Sequence, residues 1–151
     1  MRCAAIMTSD PLRLRDTLSV GDAARTLIAE RQTSVPVVDS EDRYLGMFGT
    51  ADLLGLLVPR VALAGSLAPN VRFVDDDPRA LTARFEALKH RALGDVADRD
   101  VVVLAPDTPH IDAFRVFCRN PQSLPVVDPE SGRLLGMVSY WDVVGQVTKD
   151  A

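Results

Sequence analysis

The chain is poor in the residues that usually announce a function. Aromatics make up 5% of its 151 residues, and tryptophan occurs once, at Trp141. The two cysteines, Cys3 and Cys118, are too few for a disulfide framework and lack the spacing of a metal site. They suit a reducing, cytoplasmic setting. Cys118 lies in the apolar run of Phe114, Val116 and Phe117, where it reads as a small core residue rather than a reactive thiol. No basic excess is present: the net charge is -4 and the pI about 5.1. Neither counterion release nor attraction to anionic lipid has a basic face to act through, which argues against nucleic acid and membrane as partners. The longest apolar stretch, Leu53 to Leu67, is broken by Gly55, Pro59, Arg60 and Gly65 and cannot span a bilayer. Met1 to Met7 is too short for a signal peptide.

Catalytic patterns are missing too. There is no glycine-rich phosphate loop of the Walker or dinucleotide type. His90 sits beside Lys89 and Arg91, and His110 falls in the first turn of a helix; no serine, cysteine or carboxylate is brought to either by sequence. Both read as surface histidines and the chain as a non-enzyme. Asp75, Asp76 and Asp77 could ligate Mg²⁺, but before Pro78 they fit a solvated helix start better.

What is present is a duplication. Ser34-Val35-Pro36-Val37-Val38-Asp39 recurs as Ser123-Leu124-Pro125-Val126-Val127-Asp128. Each copy is followed by a polar turn and then Leu45-Gly46-Met47-Phe48 or Leu135-Gly136-Met137-Val138, ending in Asp52-Leu53-Leu54 or Asp142-Val143-Val144. The second copy holds one extra residue in its polar turn, where insertion is tolerated. Upstream, Ser19 to Ala24 lies over Thr108 to Ala113, and Leu12 to Leu14 over Val101 to Val103. The units span 7–57 and 96–147, with an insert at 58–95.

Each unit reads β-α-β-β-α. Strands are expected at Leu12–Arg15 and Val101–Leu104. Helices follow, capped by Ser19 and Thr108, with Pro109 at the first helical position. Their apolar positions are Ala23, Leu27 and Ile28 in the first copy, and Ile111, Phe114, Phe117 and Cys118 in the second. Asn120-Pro121 stops the second helix. Hairpins pair Val35–Val38 with Tyr44–Phe48 and Leu124–Val127 with Leu134–Val138; their valines suggest strands covered on both faces. Closing helices start near Thr50 and Tyr140, the first running on toward Pro59. Within the insert, Ala80–Leu93 reads as an amphipathic helix with Leu81, Phe85, Leu88 and Ala92 on one face, stopped by Gly94.

Ser-h-Pro-Val-Val-Asp, a turn, and Leu-Gly-h-h-x-x-x-Asp-h-h, twice in register, resembles the cystathionine-β-synthase (CBS) domain, and the tandem resembles a Bateman module. The resemblance implies an α+β fold in which two repeats pack about a pseudo-twofold axis with their sheets in contact. It also implies a regulatory module with two clefts between the repeats. The ligand would be AMP, ADP, ATP or S-adenosylmethionine, no cofactor would be required, and the assembly would be a flat homodimer. The N-terminus of each closing helix would face phosphate, and the aspartate one turn in would accept from a ribose diol.

By that resemblance the second copy supplies Met137, Ser139 and Asp142, with Thr108 and Ser123 lining the same cleft. The plainer readings are a helix cap for Ser139 and Thr108, a dipole partner for Asp142 and a strand-edge hydroxyl for Ser123. The first copy keeps Asp52 but has Gly49 in place of the hydroxyl residue, with Thr50 one position late, so its cleft is expected to bind weakly or not at all. Trp141 is expected either to stack on a base or to lie half-buried at a dimer surface. No cation precedes either strand proline, where Thr33-Ser34 and Gln122-Ser123 stand, so a ligand of little negative charge is favoured. Arg13, Arg99, Arg119 and Arg133 are the cations with a chance of reaching a cleft. Leu53, Leu54, Leu56, Leu57, Val143, Val144 and Val147 exceed what one small sheet needs to cover and predict a homodimer face. The alternative is a ligand-free scaffold acting through that dimer. A regulated partner would be a separate polypeptide.

Overall fold

A computed structural model describes residues 1–58, 78–120 and 122–149. The elements are α1 (Cys3–Ile6), β1 (Thr8–Ser9), β2 (Leu14–Arg15), α2 (Val20–Glu30), β3 (Ser34–Val38), β4 (Tyr44–Gly49) and α3 (Thr50–Leu57). They continue with α4 (Pro78–Leu88), α5 (Leu93–Val96), α6 (His110–Arg119), β5 (Leu124–Val127), β6 (Leu134–Val138) and α7 (Tyr140–Lys149).

The α+β class and the doubled hairpin are as expected. Two three-stranded sheets form, ordered β2-β3-β4 and β1-β6-β5. The hairpins are antiparallel, with Pro36 opposite Met47 and Pro125 opposite Met137. A turn aspartate shapes each: Asp39 Oδ1 accepts from the N–H groups of Glu41 and Arg43 at 2.8 and 3.0 Å, and Asp128 Oδ1 from that of Glu130 at 3.0 Å. The turns place Asp42 and Gly132 in the left-handed region. There the repeats meet through a reciprocal exchange. The Tyr44 N–H donates to Gly132 O at 2.9 Å, and the Leu134 N–H to Asp42 O at 3.1 Å. Behind this junction Val38, Met47, Leu134 and Met137 pack together, which puts the pseudo-twofold axis beside Arg43 and Arg133.

A second exchange has no counterpart in the sequence reading. β1 pairs with β6 of the opposite repeat, Thr8 facing Met137, and Cys3 is fully buried in the core of the second repeat. Conversely, α5 belongs to the first repeat. Leu93 is fully buried beside Val20, Leu27, Val35 and Phe48, a burial worth about 1.5–3 kcal/mol. Asp98 then exchanges backbone hydrogen bonds with Met47 at 2.7 and 2.9 Å. Each repeat is therefore edged by the segment that precedes the other. Gly46 and Gly136 make this possible: a Cβ on Gly46 would lie 2.7 Å from Asp98 O, and one on Gly136 2.7 Å from Thr8 O.

Several local expectations need correcting. Strand β2 is confined to Leu14–Arg15, and in the second repeat only Leu104 bridges, parallel to Val126. In α6 the buried positions are Ala113 and Phe117, matching Ala23 and Leu27 of α2. The helices thus correspond one residue later than the sequence alignment placed them, and the Asp22–Arg25 and Asp112–Arg115 ion pairs follow the same register. Pro109 consequently takes the cap position of Ser19, and Thr108 is not a helix cap; its Oγ1 accepts from the Ala105 N–H at 3.0 Å instead. Cys118 is exposed because it sits one step round from Phe117, and Ile28 and Ile111 are exposed likewise. The insert helix ends at Leu88, with α5 a separate turn, and its Leu81 is exposed. The first closing helix stops at Leu57. Asp75 to Asp77 lie outside the described residues.

Candidate functional site

The two closing helices begin differently. In the second repeat Ser139 and Asp142 form a reciprocal cap. Asp142 Oδ2 accepts from the Ser139 N–H at 2.7 Å and from its Oγ at 2.8 Å, while the Asp142 N–H donates to Ser139 Oγ at 3.2 Å. Both residues stay partly accessible. Trp141, between them, is 78% exposed and packs edge-on against Tyr140. The plain capping role is thus present, and the cap still faces solvent.

In the first repeat Asp52 Oδ2 accepts from the Gly49 N–H at 2.8 Å, but no hydroxyl completes the cap. The strand ladder instead runs one pair further, to Ser34 opposite Gly49, where the second ladder stops at Leu124 opposite Val138. Thr50 donates its N–H to Thr33 O at 2.9 Å. A Cβ on Gly49 would lie 2.4 Å from Thr33 O, closer than real Cβ atoms come. Glycine here is a packing requirement: the backbone of Thr33, directly before β3, occupies the space a hydroxymethyl group would need. Ser34 is buried and its Oγ has no hydrogen-bond partner among the described residues. Burial pushes the Asp52 carboxyl above its ordinary range, against the Gly49 hydrogen bond that lowers it, and the nearby Asp98 charge raises it further.

A cavity of about 420 Å³ opens at the seam, within the rough 300–1,000 Å³ span of small-molecule sites. One wall is the stretch that crosses between the repeats, with Asp98, Asp100, Val101 and Val102. Another is α6, with Arg115, Val116 and Arg119, and the floor reaches Gln122 and Leu124. Leu124 pairs with Val138, the residue directly before Ser139, but neither Ser139 nor Asp142 lines the cavity; Asp98, which does, lies close enough to Asp52 for its charge to raise that carboxyl. Ser123 lies between two lining residues. Thr108 is turned to the N-terminal segment, its carbonyl accepting from the Cys3 N–H at 2.8 Å. Met137 is 8% exposed and packs between the sheets. Thr50 is exposed at the start of α3. Of the four arginines considered, only Arg119 lines the cavity. Arg13 pairs with Asp42 and Asp10, and Arg99 donates to the carbonyls of Leu45 and Gly94. Arg115 was missed; its spacing of four from Arg119 on one helix was the available signal.

Among the described residues no cluster of three metal-ligating side chains occurs, and no helix is long and apolar enough to cross a membrane. The family model for the CBS domain matches twice, at residues 3–59 and 93–149. The chain belongs to the CBS-domain family. It is a tandem CBS pair, and the matched ranges take in the exchanged segments Cys3–Ser9 and Leu93–Asp98. Similar solved structures include a CBS domain-containing protein from Bacillus anthracis (TM-score 0.75, 18% identity, covering 100% of this chain and 95% of that one). The Arabidopsis thaliana CBS-pair protein CBSX2, in complex with AMP, gives a TM-score of 0.72 at 23% identity, covering 99% and 97%. The CBS domain pair of protein MJ0100, in complex with 5′-methylthioadenosine and S-adenosyl-L-methionine, gives 0.66 at 18%, covering 100% and 98%. At these identities the likeness shows the fold. Among curated proteins, A-adding tRNA nucleotidyltransferase of Aquifex aeolicus is 27% identical over 146 residues, 96% of this CBS pair but 14% of that enzyme. Homoserine O-acetyltransferase of Methanococcoides burtonii is 26% identical, this chain spanning 23% of its length.

Proposed function

We propose that this CBS pair is a non-catalytic cytoplasmic sensor that binds an adenine nucleotide or adenosyl ligand in the seam cavity and passes its ligand state to a separate protein. The observation that carries this is the nucleoside-sized cavity between the crossing stretch 98–102 and α6, which reaches Gln122 and Leu124 at the start of β5. Val101, Val102, Val116 and Leu124 offer an apolar bed for a purine. Asp142 keeps a carboxylate oxygen for a ribose hydroxyl, and Ser123 and Ser139 add hydroxyls. The first-repeat residues Asp52 and Thr50 carry little of the binding, because the Thr33 backbone, directly before β3, fills the space beside Gly49. The AMP and S-adenosylmethionine complexes of structural relatives support an adenosine moiety as the common element. The test is a thermal-shift series with adenosine, AMP, ADP, ATP and S-adenosylmethionine. A shift that grows with the logarithm of ligand excess and vanishes in Asp142→Ala is expected. No shift with any of them, on protein shown to carry no co-purified nucleotide, overturns the sensor reading.

The scaffold reading draws on the uncovered apolar side chains of the closing helices. Leu54, Trp141 and Val147 are 58%, 78% and 55% exposed, and α3 buries no residue fully. A second copy is the proposed cover. A monomeric mass by light scattering at micromolar concentration would refute the homodimer.

A further inference from the structure

The seam cavity shares its walls with residues 1–9. One end of that segment is tied to the start of α6. The His110 N–H donates to Met1 O at 2.9 Å, and the His110 ring Nδ1 lies 2.7 Å from the same oxygen. Arg2 Nη1 donates to Asp107 O at 3.0 Å, the Cys3 N–H to Thr108 O at 2.8 Å and the Ala4 N–H to Pro106 O at 3.0 Å. At the other end Thr8 and Ser9 face Met137 and Gly136 of β6. In between, Cys3 is fully buried in a core that includes Ala113, Phe117 and Leu124, with Val101 and Val116 packed against it. Val101, Val116 and Leu124 also line the cavity. α6 is therefore used on two sides. Ala113 and Phe117 lie in the core with Cys3, and Arg115 and Arg119, about half a turn round, line the cavity.

The segment hangs on a weak hinge. Residues 10–13 join it to β2; there Asp10 is exposed and takes a left-handed φ of 51°, and Leu12 is 40% exposed. A terminal segment held at such a hinge opens at a lower free energy than the fold as a whole. Opening takes Cys3 from behind Val101, Val116 and Leu124 and frees the first turn of α6, so the apolar bed of the cavity is firm only while the segment is docked. We propose that residues 1–9 are a strap coupled to the seam cavity: a bound ligand holds the strap down, and release of the strap weakens the ligand, as linkage between two sites requires. Occupancy of the cavity is thereby displayed on the opposite side of α6. This rests on the reading that the cavity takes an adenine ligand.

The experiment uses the full chain with Cys118→Ser, which removes the exposed thiol and leaves Cys3 as the only one. Alkylation of Cys3 by excess N-ethylmaleimide, followed by mass spectrometry, measures strap opening. Hydrogen exchange of the β3 amides in the first repeat marks unfolding of the whole molecule. Cys3 is expected to be at least about tenfold less protected than those amides. Adenosine, AMP, ADP, ATP and S-adenosylmethionine are first titrated by calorimetry. Each one that binds, added at about a hundredfold its dissociation constant, should slow alkylation by up to about a hundredfold. In the reverse direction Cys3→Glu puts a charge where the strap must be buried. It should weaken the same ligand about fivefold or more while the β3 amides stay protected; if that variant does not fold, the alkylation comparison stands without it. Cys3 as protected as β3 overturns the strap. A bound compound that leaves alkylation unchanged, or folded Cys3→Glu protein that binds as the parent does, overturns the coupling and leaves the adenine site standing. No binding by any of the five overturns both.

Discussion

Restoring the missing hydroxyl of the first repeat should harm the protein. Gly49→Ser places a Cβ 2.4 Å from Thr33 O and 3.2 Å from the Cα and Cβ of Ser34. The backbone at Gly49 is extended, with φ -144 and ψ -177, so no torsional penalty arises and the cost is purely steric. The neighbour in the way is the Thr33 carbonyl, backbone held by the Thr50 N–H directly before the β3 ladder, and it cannot swing aside as a side-chain tip would. Overpacking of this kind costs about 1–3 kcal/mol, which for a domain of this size lowers the melting temperature by about 2–12 °C. The mirror substitution, Ser139→Gly, removes a cap hydroxyl but leaves the Asp142 bond to the Ser139 N–H; a serine-to-glycine cap change costs only about a few tenths of a kcal/mol. Scanning calorimetry on both variants gives the comparison. The first-repeat variant should melt several degrees below the second. If Gly49→Ser melts within about 1 °C of the parent, or if Ser139→Gly is the more damaging, the packing account of Gly49 is wrong.

Gly136→Ala tests the segment exchange: its Cβ would lie 2.7 Å from Thr8 O, so β1 should detach, visible as faster amide exchange over Thr8 and Ser9 together with a loss of about 1–3 kcal/mol. The Arg43 backbone N–H, followed by that of Glu41, holds the Asp39 carboxyl below its ordinary range. Its contribution is present above the unfolded carboxylate pKa and is lost as pH falls through the folded one. Asp39→Asn should therefore lower the melting temperature at neutral pH, and the gap to the parent should close as pH falls through the folded carboxyl's lowered pKa. Asp52 works in the opposite sense, since its folded pKa is raised chiefly by burial and ionisation there costs stability as pH rises. Asp52→Asn, which can still accept from Gly49, should leave the neutral-pH melting temperature unchanged or higher, and a fall larger than that of Asp142→Asn would contradict this.

What could be read from the residues was local or repeated. Both hairpins, the Ser19 cap and the closing-helix starts at Thr50 and Tyr140 follow from alternation, capping chemistry and duplication. The Ser139–Asp142 pair stood out through the family resemblance, with a helix cap as its plainer reading. What escaped depends on distant backbone. Nothing in Met7-Thr8 or Ala97-Asp98 announces an edge partner in the other repeat. The hint was indirect: Gly46 and Gly136 sit mid-strand with no turn to explain them. The register of α6 was misplaced because the repeats were aligned on their strongest motif, and the connection from helix to strand is one residue shorter in the second copy. Gly49 looked like a lost hydroxyl when it is a point of close approach. Of the two cavity cations Arg119 was among those the sequence singled out, whereas Arg115 was missed because it lines the cavity from a helix that carries no motif.

The crossing of the N-terminal segment also sets an order of events when the chain is made. Thr8 emerges from the ribosome well before its partner Met137. At ordinary synthesis rates the wait is on the order of ten seconds. During that interval the first repeat can gather most of its own core, yet its outer edge at Met47 must wait for Asp98. The Thr8–Ser9 segment has no strand to join until β6 has been made. Cys3, fully enclosed in the finished protein, spends that time as an open thiol, so the nascent chain is chemically more vulnerable than the mature fold.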